Sequence, residues 1–411
     1  MNTLKNLTNK EMVDKLRVYA DIADVSYAFF EYIDENEIWD ISDKFYNNVI
    51  LKQPNPRWDY ADGINFGYEK SINENGVSKS VPTAYALCVE ARFMQDLTIK
   101  KPKEDDELEE EKVQISNEIK NFIKVPQNKK QYLFYTIDNL SERTKKFTSR
   151  FKLLKHQKND NEGFSATLFE DTKDNDKRIL VFRGTEMNLT EEPADIWADI
   201  MLASGHVPTQ VNSLINFFLD NVIPILKEDE KINICGHSLG GYLTQICAFT
   251  FAEYLDEIYT FNSPGILTDY MKTRIGIPNI DAIPRFIRKE IIYLFSKRNV
   301  PYYEKLKENL SLADKDHTYL PAPLNVNNIY HMKTDNDSLA FNNKLYENAI
   351  QDLGVDISGN EVLINIGNVD AILNTNVSVS SHFLTYTAAT LYFFSYLLEQ
   401  KDNDEKTKNV S

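Results

Sequence analysis

Apolar residues recur at helical spacing over residues 11–33, where Val13, Leu16, Ala20, Ala23, Tyr27 and Phe30 fall on one face. Residues 50–82 break that rhythm; rich in Pro, Asn and Gly, they predict loop. The helical pattern resumes over 83–97. A charged stretch follows at 100–124, with Glu104-Asp105-Asp106-Glu107 and Glu109-Glu110-Glu111. Such a run predicts a solvated helix or a mobile insertion, and no chemistry is assigned to it. Residues 1–150 therefore read as a mainly helical N-terminal region.

The period changes beyond residue 160. Residues 163–170 and 178–182 are short β-rich runs separated by the polar turn 171–176, which predicts a hairpin. Residues 193–203 and 210–227 predict helices. A strand at 231–235, a helix at 239–255 and a strand at 257–262 then alternate, with further strands at 329–333 and 362–366. The apolar, aromatic-rich segment 383–398 predicts a last helix packed against the sheet. Strand–helix alternation of this kind predicts an α/β fold, a largely parallel central sheet flanked by helices, with helical insertions. No internal repeat is visible, and the chain is expected to form a single domain over 1–411.

Composition narrows the classes. The 411 residues are 42% hydrophobic and 12% aromatic, which predicts a globular chain. The formal net charge of −16 argues against nucleic acid as a partner, because long-range attraction would have the wrong sign. Three cysteines, Cys88, Cys235 and Cys247, make neither a disulfide framework nor a metal pattern and read as small buried hydrophobes. The N-terminus has no apolar core of a secretory signal, and no run reaches the ~18–20 apolar residues of a membrane span. The expectation is a chain made in the cytoplasm, with signal-independent export left open. No cofactor or metal is expected.

One motif carries chemistry. In Gly236-His237-Ser238-Leu239-Gly240-Gly241 a serine stands between a predicted strand and a predicted helix. A Gly-x-Ser-x-Gly turn at that junction lifts the serine hydroxyl above the end of the sheet, at a helix N-terminus. A serine needs a base, and the base an orienting carboxylate; in this fold they follow the serine in the order acid, histidine. Among six histidines, His156 and His206 precede the serine and His237 lies inside the turn. His331 falls in a strand and His317 before it. His382, in the Ser-rich segment leading into the last helix, is the remaining base. The acid should follow the strand 329–333, where Asp335 and Asp337 both qualify. The tetrahedral oxyanion needs fixed donors. Leu239 supplies one backbone N–H, and Val181-Phe182-Arg183-Gly184-Thr185 fits the second loop, with Thr185 as its donor.

Four motifs in order, Val181 to Thr185, Asp195-Ile196-Trp197-Ala198-Asp199, Gly236 to Gly241 and Tyr259-Thr260-Phe261-Asn262-Ser263-Pro264-Gly265, resemble the class 3 lipases. These are α/β-hydrolases related to the fungal secreted lipases. The resemblance covers residues 160–270, with shorter stretches at 329–340 and 378–390. It implies hydrolysis of carboxylic esters of lipids, without cofactor. It also implies Asp337 over Asp335 as the acid, from the context Asn336-Asp337-Ser338-Leu339, and Thr185 in the oxyanion hole. Two departures stand out. The family's Phe-Gly-x-Pro-Arg appears here as Phe261-Asn262-Ser263-Pro264-Gly265, and the Ser238–Asp337 interval is lengthened by a lid-like insertion at 266–325.

From 266 to 310 nine Lys or Arg stand against five Asp or Glu. Residues 283–298 mix Arg285, Arg288 and Lys289 with Phe286, Ile287, Ile291, Leu294 and Phe295. That pattern suits transient contact with a membrane surface, basic groups meeting phosphates and apolar ones entering lipid; an ordinary packed helix has the same composition. The combined expectation is a serine esterase acting on lipids, either a triacylglycerol lipase or a phospholipase A. Two readings compete: a non-lipid serine hydrolase such as a thioesterase or peptidase, and a non-catalytic binding protein on the same scaffold.

Overall fold

The computed structural model describes residues 7–28, 30, 33, 38–40, 52–54, 63–93, 98–102, 108–112, 137–160, 163–184, 210–263, 265, 324–334, 357–364 and 384–408. In chain order these form helix α1 (Asn9–Val25), strands β1 (Ile38–Asp40), β2 (Lys52–Pro54), β3 (Glu69–Glu74) and β4 (Val77–Pro82), and helix α2 (Ala84–Phe93). Strands β5 (Thr98–Pro102) and β6 (Leu108–Lys112) and helix α3 (Glu142–Thr148) follow. The second half runs β7 (Phe151–Gln157), β8 (Ala166–Asp171), β9 (Lys177–Phe182), β10 (Ile232–His237), helix α4 (Leu239–Phe251) and β11 (Leu255–Phe261). It ends with β12 (Ile329–Thr334), β13 (Asn360–Ile364) and helix α5 (Leu384–Lys408).

Strands β7 to β13 make one seven-stranded sheet whose spatial order is their sequence order. From β9 to β13 every neighbouring pair is parallel. The five-residue turn between β8 and β9 is too short for a parallel crossover, so those neighbours are antiparallel. A mostly parallel sheet with flanking helices is the α/β-hydrolase architecture. Among the described residues no helix is long and apolar enough to cross a membrane.

The chain divides into two compact units. The first comprises Met1–Ser26, Asn159–Leu168 and Arg178–Ser411. Its helix α1 starts at a reciprocal cap: the Thr8 hydroxyl accepts from the Glu11 N–H at 3.2 Å, and the Glu11 carboxylate accepts from the Thr8 N–H at 2.8 Å. Tyr19 of α1 stacks on Tyr259 of β11 with ring centroids 3.6 Å apart, and Tyr259 stacks in turn on Tyr330 of β12 at 4.8 Å. Polar groups finish this layer. Asn233 donates to the Tyr19 hydroxyl and accepts from the Glu257 N–H, while Tyr259 donates to the Glu257 carboxylate, which also pairs with Lys15. Helix α4 covers the opposite face, since Gly236, adjacent in sequence to the α1-side positions of β10, faces Thr244 of α4. Helix α5 runs antiparallel to α1: Tyr392 donates to Asp21 at 2.6 Å, Ser395 donates to Asp14, and the Arg17 guanidinium lies over the Tyr392 ring at 4.8 Å.

The second unit, Tyr27–Lys158 with Phe169–Lys177, has an aromatic core. Phe147 meets Phe93, Phe151 and Phe169, and Phe30 meets Tyr85 and Phe169. The buried Tyr85 hydroxyl donates to the Phe151 carbonyl at 2.7 Å. Arg150 holds the buried Asp171 carboxylate through two nitrogens, at 2.9 and 2.7 Å.

Four local expectations are corrected. Residues 69–82 are a hairpin, not loop, because Asn75 and Gly76 at φ 54° and 80° supply a turn whose twist matches two strands. Its strands are polar on both faces, so no alternation announces them. The charged stretch near 100 forms the β5–β6 hairpin, whose register sets Lys100 opposite Glu110 and Lys101 opposite Glu109; alternating sign across strands replaces a like-charge run along one helix. The helix expected at 11–33 stops at Val25, where the Ser26 hydroxyl bonds back to the Ala23 carbonyl at 2.7 Å. The last helix continues to Lys408, ten residues past the apolar pattern, through a charged run of sequence. The helix of 193–203 and the insertion at 266–325 lie outside the described residues.

The tyrosine stack is expected to be a main support of α1. Replacing Tyr19 with Ala should destabilise by about 3 kcal/mol or more, as for other buried aromatic truncations. Tyr19→Phe keeps the stack, loses one hydrogen bond and should cost only about 1 kcal/mol. Chemical denaturation of the two variants checks the difference; equal stabilities would remove the stack from its supporting role.

Candidate active site

Strand β10 is buried along its whole length and ends at His237; α4 begins at Leu239. A single residue, Ser238, must therefore reverse the chain from strand to helix. It does so at φ 54° and ψ −126°, a left-side conformation that L-residues rarely hold and that costs on the order of 1–3 kcal/mol. The surroundings hold it there. The Ser238 N–H donates to the Phe261 carbonyl at 3.0 Å, and the Ser238 carbonyl accepts from Gly241 at 2.9 Å and from Tyr242 at 3.2 Å.

The glycines of the motif are explained by space. A Cβ on Gly236 would overlap the Gly240 carbonyl and stand 2.6 Å from the Thr244 hydroxyl. One on Gly240 would overlap the Phe182 carbonyl and stand 2.9 Å from the Gly184 nitrogen. One on Gly241 would meet the Ser263 Cβ at 2.5 Å. Helix α4 is thus pressed backbone to backbone against the end of β9 and against the Ser263 side chain beyond β11. That places Arg183-Gly184, the start of the expected oxyanion loop, against the first turn of α4. Leu239 opens that helix, so its N–H is one of the amino-terminal donors that a helix cannot satisfy from within, at the positive end of the dipole. Thr185 lies outside the described residues.

Other titratable groups near the turn are chemically quiet. Cys235 and Cys247 are fully buried, and burial pushes both thiols well above their usual range, so neither is a ready thiolate. Burial likewise raises the Tyr242 phenol. His331 on β12 is a splint: its Nδ1 meets the Thr260 hydroxyl at 2.8 Å and its Nε2 the Ile357 carbonyl at 2.9 Å. A carbonyl only accepts, so the proton sits on Nε2 and Nδ1 accepts from Thr260. Both nitrogens are engaged, which agrees with passing over His331 as the base.

The structure describes the strand that leads to the acid candidates and the helix that follows the expected base, but not those residues themselves. Strand β12 ends at Thr334, one residue before Asp335; Asp335 and Asp337 lie outside the described residues. Helix α5 begins at Leu384, two residues after His382, which also lies outside them. His206, His317 and Asp195–Asp199 fall there too, as does the basic segment 283–298. Parallel order nonetheless puts the C-terminal ends of β9, β10, β11 and β12 on one edge of the sheet, where Gly184, Ser238, Asn262 and Thr334 emerge. The serine turn, the start of the expected donor loop and the end of the strand expected to lead to the acid are brought to that edge together.

Sequence reasoning missed the polar side chains that lace this edge. Asn262 accepts from the Thr334 N–H at 3.0 Å. Gln245 of α4 donates to the Ser263 hydroxyl at 3.2 Å and accepts from the Ile357 N–H at 3.1 Å. One signal was available: an asparagine directly after a buried strand, where the resembling family carries glycine.

A family model described as Mbeg1-like matches residues 141–292, from α3 through the serine turn. No curated protein sequence matches the chain. Among solved structures the chain is similar to the native lipase–propeptide complex of Rhizomucor miehei, at 13% identity and TM-score 0.26, covering 58% of this chain and 66% of that one. It is also similar to the Lip2 lipase of Yarrowia lipolytica, at 15% identity and TM-score 0.28, covering 54% and 68%. A third is the 2-hydroxy-6-oxo-6-phenylhexa-2,4-dienoate hydrolase of Rhodococcus sp. strain RHA1, at 13% identity and TM-score 0.23, covering 52% and 91%. The chain thus spans just under two thirds of the Rhizomucor lipase chain.

The contact at Gly240 generates a prediction. Gly240→Ala must push the Phe182 carbonyl and the Gly184 nitrogen away from α4, and is expected to destabilise by about 2 kcal/mol or more through overpacking. Labelling of Ser238 by a fluorophosphonate should fall even where the variant remains folded. A folded Gly240→Ala protein that labels at the wild-type rate would contradict the close approach.

Proposed function

We propose that the chain is a serine esterase that hydrolyses carboxylic ester bonds of lipids, as a triacylglycerol lipase or a phospholipase A. The observation that carries this reading is the backbone of Ser238, held at φ 54° between β10 and the N-terminus of α4, with the Gly184 backbone packed against the same helix turn. The mechanism follows from that geometry. His382 takes the Ser238 proton as Oγ attacks the ester carbonyl. The oxyanion is met by the Leu239 N–H and by Thr185. As the tetrahedral species collapses, the C–O bond breaks, and His382 returns the proton to the leaving alcohol. Water then attacks the acyl-enzyme, His382 takes its proton, and collapse frees the acid and restores Ser238. Asp337 orients His382 and stabilises its charged form. The four ordered motifs, lipase-like in sequence, support lipid esters as the substrate.

Reaction with a fluorophosphonate probe, followed by peptide mapping, tests the nucleophile. Wild type should be modified at Ser238; failure to label would favour a non-catalytic scaffold. Ser238→Ala and His382→Ala are expected to lower kcat by about 10⁴-fold or more, since triad members act as a unit. Asp337→Asn should be far more damaging than Asp335→Asn, and the reverse order would move the acid to Asp335.

Residues 283–298 are proposed to dock transiently on the lipid surface. Alanine at Arg285, Arg288 and Lys289 together should then reduce hydrolysis of anionic phospholipid vesicles by about 100-fold while sparing soluble short-chain esters, because near-surface basic residues contribute on the order of 1 kcal/mol each. Equal losses on both substrates would sink the docking role. Preference for short acyl chains with no action on vesicles would favour a non-lipid hydrolase.

A further inference from the structure

Asn262 occupies a backbone position suited to glycine, yet it is not glycine. Its φ is 43°, on the left-handed side where asparagine is tolerated better than most residues. Its N–H donates to the Met332 carbonyl at 2.8 Å, continuing the β11–β12 ladder past the last residue of β11. Its side-chain oxygen then accepts from the Thr334 N–H at 3.0 Å, and the Thr334 hydroxyl lies 3.5 Å away. Both residues are buried, so water is a poor substitute for this bond. Thr334 is the last residue of β12, and both acid candidates, Asp335 and Asp337, lie within three residues of it.

We infer that Asn262 is a positioning residue for the catalytic acid: its side chain closes the ladder where the backbone ladder ends, and so fixes the exit of the acid-bearing chain beside the serine turn. The inference rests on the serine-hydrolase reading above. Phe261, the residue before Asn262, holds the Ser238 N–H through its carbonyl. One short stretch, Phe261-Asn262, therefore ties both the nucleophile turn and the acid strand end to β11. A glycine could adopt the same φ but could not hold Thr334, so the side chain has a task that the turn alone does not require.

The test uses two substitutions. Asn262→Gly keeps the backbone unstrained and removes the acceptor; Asn262→Asp keeps an acceptor at the same place. Each is measured with wild type for hydrolysis of a soluble p-nitrophenyl ester across pH, for fluorophosphonate labelling of Ser238, and for amide exchange at Thr334. Asn262→Gly is expected to lower kcat by about 10-fold with KM little changed, the partial loss of a unit acting together. The acidic limb of its kcat/KM profile should move to lower pH, because a base histidine that loses a facing carboxylate binds its proton less tightly. Thr334 should exchange faster. Asn262→Asp should restore most of kcat, the acidic limb and the protection. The inference is overturned if Asn262→Gly keeps both the wild-type rate and pH profile, or if Asn262→Asp is as impaired as Asn262→Gly. Absence of wild-type labelling and hydrolysis would overturn the hydrolase reading itself, and the positioning role with it. An active, labelled wild type whose Asn262→Gly variant is unchanged overturns the positioning role alone.

Discussion

Everything at the C-terminal edge of the sheet depends on how closely α4 lies against it. The helix cannot approach unless Gly236, Gly240 and Gly241 are bare, and it cannot start where it does unless one residue reverses the chain at positive φ. Close packing and strain are therefore one constraint. A looser helix would let Ser238 relax into an ordinary conformation, drop its side chain towards the sheet and separate α4 from the Gly184 backbone. The strain persists because bonds on both sides of Ser238, to Phe261 and to Gly241 and Tyr242, specify the turn more strongly than the serine's own preference opposes it.

This part of the molecule was legible in the sequence because it is local. The turn, its strand and its helix lie within 20 consecutive positions, and glycine spacing reports directly on backbone space. The strands β9 to β12 were legible for the same reason: each is a short apolar run, as parallel strands covered on both faces must be. The β3–β4 and β5–β6 hairpins were not: β4 is exposed over most of its length and its pairing with β3 is set by the turn at Asn75-Gly76, while β5 and β6 pair through cross-strand register. The early end of α1 was hidden too. The apolar pattern continues to Tyr27 and Phe30, but in the fold those side chains serve the second unit while α1 belongs to the first.

Long-range polar bonds were the least legible. Nothing in the neighbourhood of Gln245 announces that its amide will hold Ser263 on one side and Ile357 on the other, 112 positions away. His331 shows the same limit in reverse. Chain order sets it aside as a base, but only the structure supplies a reason for a histidine there: Thr260 needs an acceptor and the Ile357 carbonyl a donor, and a neutral imidazole is both. Gly359 leaves the room, since a Cβ there would stand 2.9 Å from the His331 Nε2.

These bonds share a physical logic. A triad must hold its groups to within about half an ångström, and loops alone do not achieve that; the elements that launch the loops must be fixed. In this chain the turn of Ser238, the proposed nucleophile, is fixed against its backbone strain by the bonds to Phe261, Gly241 and Tyr242. The end of β12 is held by Asn262 on Thr334, and the segment before β13 by Gln245 and His331. The helix that follows His382 is fixed differently, by Asp21–Tyr392 and Asp14–Ser395 against α1. Burial works against the Asp14 carboxylate, yet hydrogen bonds from Lys10 and Ser395 hold it below the usual range, so it stays charged. The N-terminal helix thus holds the helix that follows His382, and two segments far apart in sequence are tied together by buried and half-buried side-chain bonds.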